Sequence, residues 1–114
     1  MKAGKLRHRI TIKKTIETDD THHGFSEGTL MVANRIPAKV VPLSGRELER
    51  AQQIDPRTTH RVEIRHRTGL RAGQTVVFHD PDDGDRVMEL VGKPIDVDEA
   101  RIEMHLLCKE QEAA

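Results

Sequence analysis

The sequence contains no tryptophan and no tyrosine, and its two phenylalanines, Phe25 and Phe78, bring the aromatic content to 2% of 114 residues. A chain so poor in aromatics cannot build the stacking platform on which single-strand nucleic-acid binders rely. One cysteine, Cys108, can neither form an internal disulfide nor hold a zinc ion by itself. The longest apolar run is the four residues at 30–33. A membrane helix needs roughly 20. The basic N-terminus is not followed by an apolar stretch, so neither a membrane span nor a secretory signal is expected. The length suits a single domain, 1–114. With 35% hydrophobic residues, the core must come from Ile, Val, Leu and Met. Such a core is thin for a free monomer of this size, and part of the stability is expected from subunit contacts.

Charge is abundant but balanced, with 19 Lys+Arg against 19 Asp+Glu. The balance conceals a division along the chain. Residues 1–67 hold 14 basic and 8 acidic side chains, a sum of +6, and residues 68–114 hold 5 and 11, a sum of −6. Two readings stand. The halves mix within one interdigitated domain, or they separate in space and suit a subunit that stacks head to tail.

Period-two alternation predicts strands. Over 6–14, Leu6, His8, Ile10 and Ile12 share one face and Arg7, Arg9, Thr11 and Lys13 the other. Over 60–67, His60, Val62, Ile64 and His66 oppose Arg61, Glu63, Arg65 and Arg67. Over 101–109, Ile102, Met104, Leu106 and Cys108 point inward. Shorter strands are expected at 29–34, 38–43, 75–79 and 86–91. Turn-forming residues separate them. The polar stretch 17–28, which contains His22 and His23, reads as a loop. Gly69 and Gly73 mark 68–74, Pro81 with Asp83-Gly84 marks a hairpin at 80–85, and 96–100 is a polar bend after Pro94. The fold class is therefore mainly β, a small β-barrel or sandwich of about six or seven strands. One insertion, at about 44–59, interrupts the pattern. Ser44 and Glu47 have the spacing of a capping box. Leu48, Ala51 and Ile54 follow at intervals of three, and Pro56 stops the run. The insertion reads as a helix over 45–55, or as a mobile loop that orders only in an assembly.

The chemistry-bearing residues form no catalytic or metal motif. Seven histidines are present, yet there is no H-E-x-x-H pair and no C-x-x-C. His60 and His66 share a face but stand about 20 Å apart in an extended strand, too far to hold one ion. The acidic run 80–85 fails as a calcium loop, because Asp85 occupies the glycine position and Val91 the bidentate-glutamate position. Cys108 closes an alternating strand on its apolar face and reads as a buried small hydrophobe. No enzyme, cofactor or metal is expected. The arginines are more informative. Arg7 and Arg9 share one strand face, and Arg61, Arg65 and Arg67 another. These faces can touch a phosphate backbone without reading sequence, or pair across strands with acids such as Glu63.

The segment A-G-K-L-R-H-R-I-T-I at 3–12 resembles the N-terminal signature of the phage head–tail joining proteins, the head closure or stopper proteins of long-tailed bacteriophages. V-P-L-S-G-R-E-L-E-R-A-Q-Q at 41–53 is similar to the family's P-L-S-G-R-E segment. T-H-R-V-E-I-R-H-R at 59–67 is similar to its T-H-x-I-x-I-R strand, and L-L-C-K-E at 106–110 to its ending. The chain departs from relatives at Pro37 and His66, where many of them carry aromatics. The resemblance implies a structural virion protein of the phage neck, made in the host cytoplasm. Such a protein is a β-barrel subunit of a homo-oligomeric ring, a dodecamer in many relatives. The ring sits beneath the portal and adaptor, closes the DNA-filled head and retains the genome. It offers the docking surface for the tail terminator and tail tube and touches genomic double-stranded DNA without specificity. By the same resemblance the 44–59 insertion faces the channel. Ser44, Gly45, Arg46, Glu47, Arg50 and Gln53 are then channel-loop or subunit contacts, and Arg7, Arg9, Arg61 and Arg65 form a basic interaction face. The alternatives are another neck component (an adaptor, usually helical, or a tail terminator) and a free-standing nucleic-acid-binding small β-barrel.

Overall fold

Strands with one apolar face must bury it, and a small set of them does so by curling into a barrel that leaves few open edges. In the computed structural model, which describes residues 6–20 and 24–111, the chain runs β1 (His8–Asp20), β2 (Gly24–Pro42), α1 (Gly45–Ile54), β3 (His60–Arg65), β4 (Thr75–Asp80), β5 (Gly84–Leu90), β6 (Ile95–Asp96), a 3-10 turn (Val97–Glu99) and β7 (Glu103–Glu110). The spatial order is β3-β2-β1-β4-β5-β7-β6, every pairing is antiparallel, and β3 also pairs with β7. That last ladder, from His60↔Cys108 to Arg65↔Glu103, closes six strands into a barrel with β6 as an extra strand on β7.

The alternating residues fill the inside. Ile10, Ile12, Val62, Ile64, Val76, Met88, Leu90 and Leu106 are fully buried. Phe78, also buried, packs against the His8 ring with centroids 4.9 Å apart and lies 5.4 Å beneath the Arg86 guanidinium. Cys108 is buried among them as expected, and desolvation pushes its thiol up to about 12. The hairpin at 80–85 forms. The Asp82 backbone N–H donates to Asp80 Oδ1 at 2.9 Å, which holds that carboxyl below its usual range, and Gly84 takes φ 76°.

Three expectations are corrected. The 17–28 stretch is not a loop: β1 and β2 continue as a ladder from Thr15↔Thr29 to Asp20↔Gly24. The strands expected at 29–34 and 38–43 are accordingly one strand, β2. β4 pairs with β1 only over Ile10↔Phe78 to Lys13↔Thr75. Beyond that the hairpin is a two-stranded ribbon with no interior to face, so apolar alternation has no reason to appear in the sequence. His22 and His23 lie outside the described residues. Second, Ile102 does not point inward and is 58% exposed. Arg101 adopts φ 57°, which turns the chain just before β7 begins. Third, the strand expected over 60–67 ends at Arg65.

The two charge halves interleave, because β1 pairs with β4 and β3 with β7. An ion pair crosses the division at Arg57–Glu89, 3.5 Å.

Candidate functional site

The insertion leaves and rejoins the barrel at one point. Pro42 pairs with His60 at the end of the β2–β3 ladder, and the Leu43 N–H donates to the Thr59 carbonyl at 3.0 Å. Its returning limb is fixed. The Thr58 side chain is fully buried and donates from Oγ1 to the Asp55 carbonyl at 2.9 Å. Asp55 accepts from the Arg57 backbone and guanidinium at 2.9–3.1 Å, which holds its carboxyl below the usual range. The Thr59 N–H donates to the Cys108 carbonyl, 2.9 Å.

The helix itself is held more lightly. Of its residues Ala51 is buried and Leu48 half-buried. Ile54, the last of the three apolar residues spaced with Leu48 and Ala51, is 76% exposed at the helix end. The capping box is also corrected. Ser44 stands at the N-cap but its side chain makes no capping bond. Gly45 takes φ +58°, a conformation that L side chains rarely adopt, and turns the chain sharply into the helix. Glu47 instead forms an ion pair with Arg61 of β3, which ties helix to barrel.

Arg46, Arg50 and Gln53 occupy positions i, i+4 and i+7 and therefore share one helix face, turned away from Leu48 and Ala51. All three are exposed, as are Ser44, Gly45 and Glu47. Among the described residues neither Arg46 nor Arg50 has a hydrogen-bond or ion-pair partner. The expected channel-loop set thus divides. Arg46, Arg50 and Gln53 point to solvent, Glu47 points back to the barrel, and Ser44 and Gly45 shape the turn.

The second expected set divides as well. Arg61 is committed to Glu47 and to Glu63, whose Oε2 is 3.3 Å away. Arg65 is exposed and lines a shallow recess of about 200 Å3 with Ile36, Pro37, His66 and Arg67. Arg9, also exposed, stands opposite Pro37 in the β1–β2 ladder. The structure therefore brings Arg9 and Arg65 to one outer surface flanking Pro37. Arg7 is exposed near the start of β1.

Two polar constellations were not legible as such. In the first, β2 carries extra residues between Ile36 and Met31 relative to β1, and Arg35 takes φ 47° in that bulge. The displaced Arg35 N–H is satisfied by Thr11 Oγ1 at 3.1 Å. Thr11 Oγ1 in turn lies 2.7 Å from His79 Nε2, and His79 Nδ1 lies 2.8 Å from Asp85 Oδ1. With Nδ1–H donating to Asp85, the chain Arg35–Thr11–His79–Asp85 joins four strands. Its order mimics a hydroxyl–imidazole–carboxylate relay, but Thr11 is 3% exposed and its oxygen already accepts a bond, so the hydroxyl serves the bulge. The separations of 68 and 24 residues gave no sequence signal.

The second lines a recess of about 590 Å3 bounded by Thr59, His60, Asp85, Arg86, Val87, Glu110 and Gln111. Arg86 donates to both Glu110 oxygens, 2.6 and 2.8 Å, and to Asp80 Oδ2, 3.3 Å. The bidentate bond holds Glu110 below the usual carboxylate range and raises Arg86. A guanidinium so saturated has little capacity left for an external anion. His60, beside it, is pushed down by burial.

No described helix is long and apolar enough to cross a membrane. Among proteins of curated function, none matches the chain. Protein SF1141 from Shigella flexneri 2a, known from its solution structure, is similar over its whole length. The match covers 100% of both chains at 26% identity, with a TM-score of 0.77. The sequence also matches the phage head completion proteins over residues 1–111, from before β1 to the end of β7. With that match spanning the whole closed barrel and its insertion, the chain belongs to the phage head completion protein family.

Proposed function

We propose that this protein, as one domain over 1–114, is the head closure subunit of a phage neck, assembling as a homo-oligomeric ring, a dodecamer by resemblance, beneath the portal and adaptor. The ring retains the packaged genome and presents the surface to which the tail terminator and tail tube bind. Membership of a head completion family carries the structural virion role. The observation that carries the finer reading is α1: a light, clasped helix that turns two unpartnered arginines and Gln53 away from a closed barrel. A channel element must contact DNA without fixing its sequence, and exposed guanidinium groups on a polar face do so through phosphate. Arg9 and Arg65 flanking Pro37 provide a separate surface for a neighbouring protein. The Glu47–Arg61 pair ties the helix to β3.

The test is the double substitution Arg46→Glu and Arg50→Glu. Both side chains are exposed, so the purified chain should keep its far-ultraviolet spectrum and melting temperature. Particles carrying it should lose packaged DNA before tail attachment, or fail to form the neck ring. Infectious particles at wild-type yield would refute the assignment of the helix.

A barrel with one described ten-residue helix weighs against the adaptor reading. Buried Phe78 offers no stacking face to a single strand.

A further inference from the structure

The outer faces of β3 and β7 carry a group of side chains that neither the core nor the insertion uses. Glu63 stands opposite His105 in the β3–β7 ladder, and Glu103 lies two residues before His105 on the same face. A carboxylate oxygen of Glu63, one of Glu103 and a ring nitrogen of His105 all lie within 4.8 Å of one another. His105 Nε2 is 3.6 Å from Glu63 Oε1 and 3.8 Å from Glu103 Oε1. Both separations exceed the roughly 2.7–3.2 Å of a hydrogen bond. Nε2 is also a buried polar atom with no hydrogen-bond partner. Two ligand atoms about 2.0–2.2 Å from one tetrahedral ion lie about 3.4 Å from each other. The observed spacing is closer to that of ligands sharing an ion than to that of a hydrogen-bonded pair.

Strand geometry accounts for the convergence. Positions x and x+2 of β7 project from one face, and the residue facing the second of them on β3 completes a triangle with no loop involved. Glu63 is 8% exposed, and a carboxylate buried to that degree needs compensation. Arg61 supplies part of it at Oε2, which leaves Oε1 turned toward His105. Arg61 is thus a positioning residue for the group. Lys39 stands opposite Glu63 in the β2–β3 ladder, and Arg65 stands opposite Glu103. The Glu103 and His105 side chains are 23% and 27% exposed, so the group lies near the surface, although Nε2 itself is covered.

We propose that Glu63, Glu103 and His105 form a binding site for one divalent first-row transition-metal ion. The imidazole selects this class over calcium and magnesium, which prefer all-oxygen sets. Three protein ligands leave a further position for water. The competing occupant is a proton: an imidazolium shared by the two carboxylates would balance the same charge. Metal binding must displace that proton, so affinity should fall as the solution is acidified.

The experiment titrates zinc chloride into the full-length chain at neutral pH by calorimetry. One ion per chain is expected, reversed by chelator, with a rise in melting temperature. His105→Ala and Glu103→Gln should each lower the affinity roughly 100-fold or more, and Arg61→Met roughly 10-fold to 100-fold. Glu103→Gln alters a partly exposed residue at the strand start, so it tests the site even if Glu63→Gln does not fold. A His22→Ala, His23→Ala double variant should bind as tightly as the parent. Absence of stoichiometric binding would overturn the proposal in favour of the imidazolium, as would binding that survives His105→Ala or disappears with His22 and His23. With cobalt, visible bands of a four-coordinate nitrogen–oxygen site support it, and the spectrum of the aqua ion overturns it.

Discussion

If α1 is a light attachment to a rigid barrel, it should open independently of the barrel, and Ala51→Gly tests this directly. Ala51 is the buried residue of the helix, 6% exposed. Glycine in a helix interior costs about 1 kcal/mol relative to alanine. Removing the buried methyl costs about 0.8 kcal/mol more. Together the change is about 2 kcal/mol, or roughly 30-fold in the equilibrium between closed and open helix. Native-state hydrogen exchange reads that equilibrium residue by residue. The Leu48 amide, bonded to the Ser44 carbonyl at 3.3 Å, and the Asp55 amide, bonded to the Ala51 carbonyl at 3.0 Å, should exchange roughly 30-fold faster in the variant. Amides of β3 and β7, such as Val62 and Leu106 in the closing ladder, should keep their protection once global stability is accounted for. Equal loss of protection at α1 and at the closing ladder would show that the helix opens only with the whole barrel. The insertion could then not act as a separate gate.

Cys108 should resist thiol reagents in the folded chain. A thiol pushed to about 12 holds roughly a thousandfold less thiolate near neutral pH than one at the ordinary value of 9.0, before burial is counted; rapid native labelling would refute its placement. Stability should decline on acidification. His60 is held below 6.5 by burial, and Glu110 below 4.5 by the Arg86 hydrogen bonds, so the unfolded chain takes up both protons first. Their contributions are whole above the unfolded values and are lost as pH falls through the lower, folded ones. Urea midpoints should drop from neutral pH toward pH 4.5 and below, with the acid limb flatter in Glu110→Gln; a midpoint that rises on acidification would refute this.

What the sequence revealed, and what it hid, follows from where each residue's partner lies. Ile10, Ile12, Val62, Ile64, Leu106 and Cys108 were legible as core because a strand with one buried face alternates by geometry alone. The β1–β2 ribbon was illegible for the complementary reason: beyond Lys13↔Thr75 no third strand lies on β1 to impose a pattern. The helix was placed within a residue by spacing and Pro56. The role of Glu47 was not, because its partner Arg61 lies fourteen positions away and competes with the local cap. Of the candidate site, Arg46, Arg50 and Gln53 were named from resemblance, and their shared face follows from helical spacing. The group Glu63, Glu103 and His105 depends on the β3–β7 register, which no local pattern encodes.

The clasp beneath the insertion has a consequence for what this fold can tolerate. Pro42 and His60 are held side by side by the sheet, and the Leu43–Thr59 bond seals the neck of the loop. Within the loop, the buried Thr58, the Thr59–Cys108 bond, and the Glu47–Arg61 and Arg57–Glu89 pairs anchor the insertion to the barrel. Doubling such a loop costs only about 0.6 kcal/mol in closure entropy. The outward helix face with Arg46, Arg50 and Gln53 carries none of these anchors. A longer or differently charged outer segment could be grafted there while the anchors hold, so this exposed face can diversify faster than the part that folds.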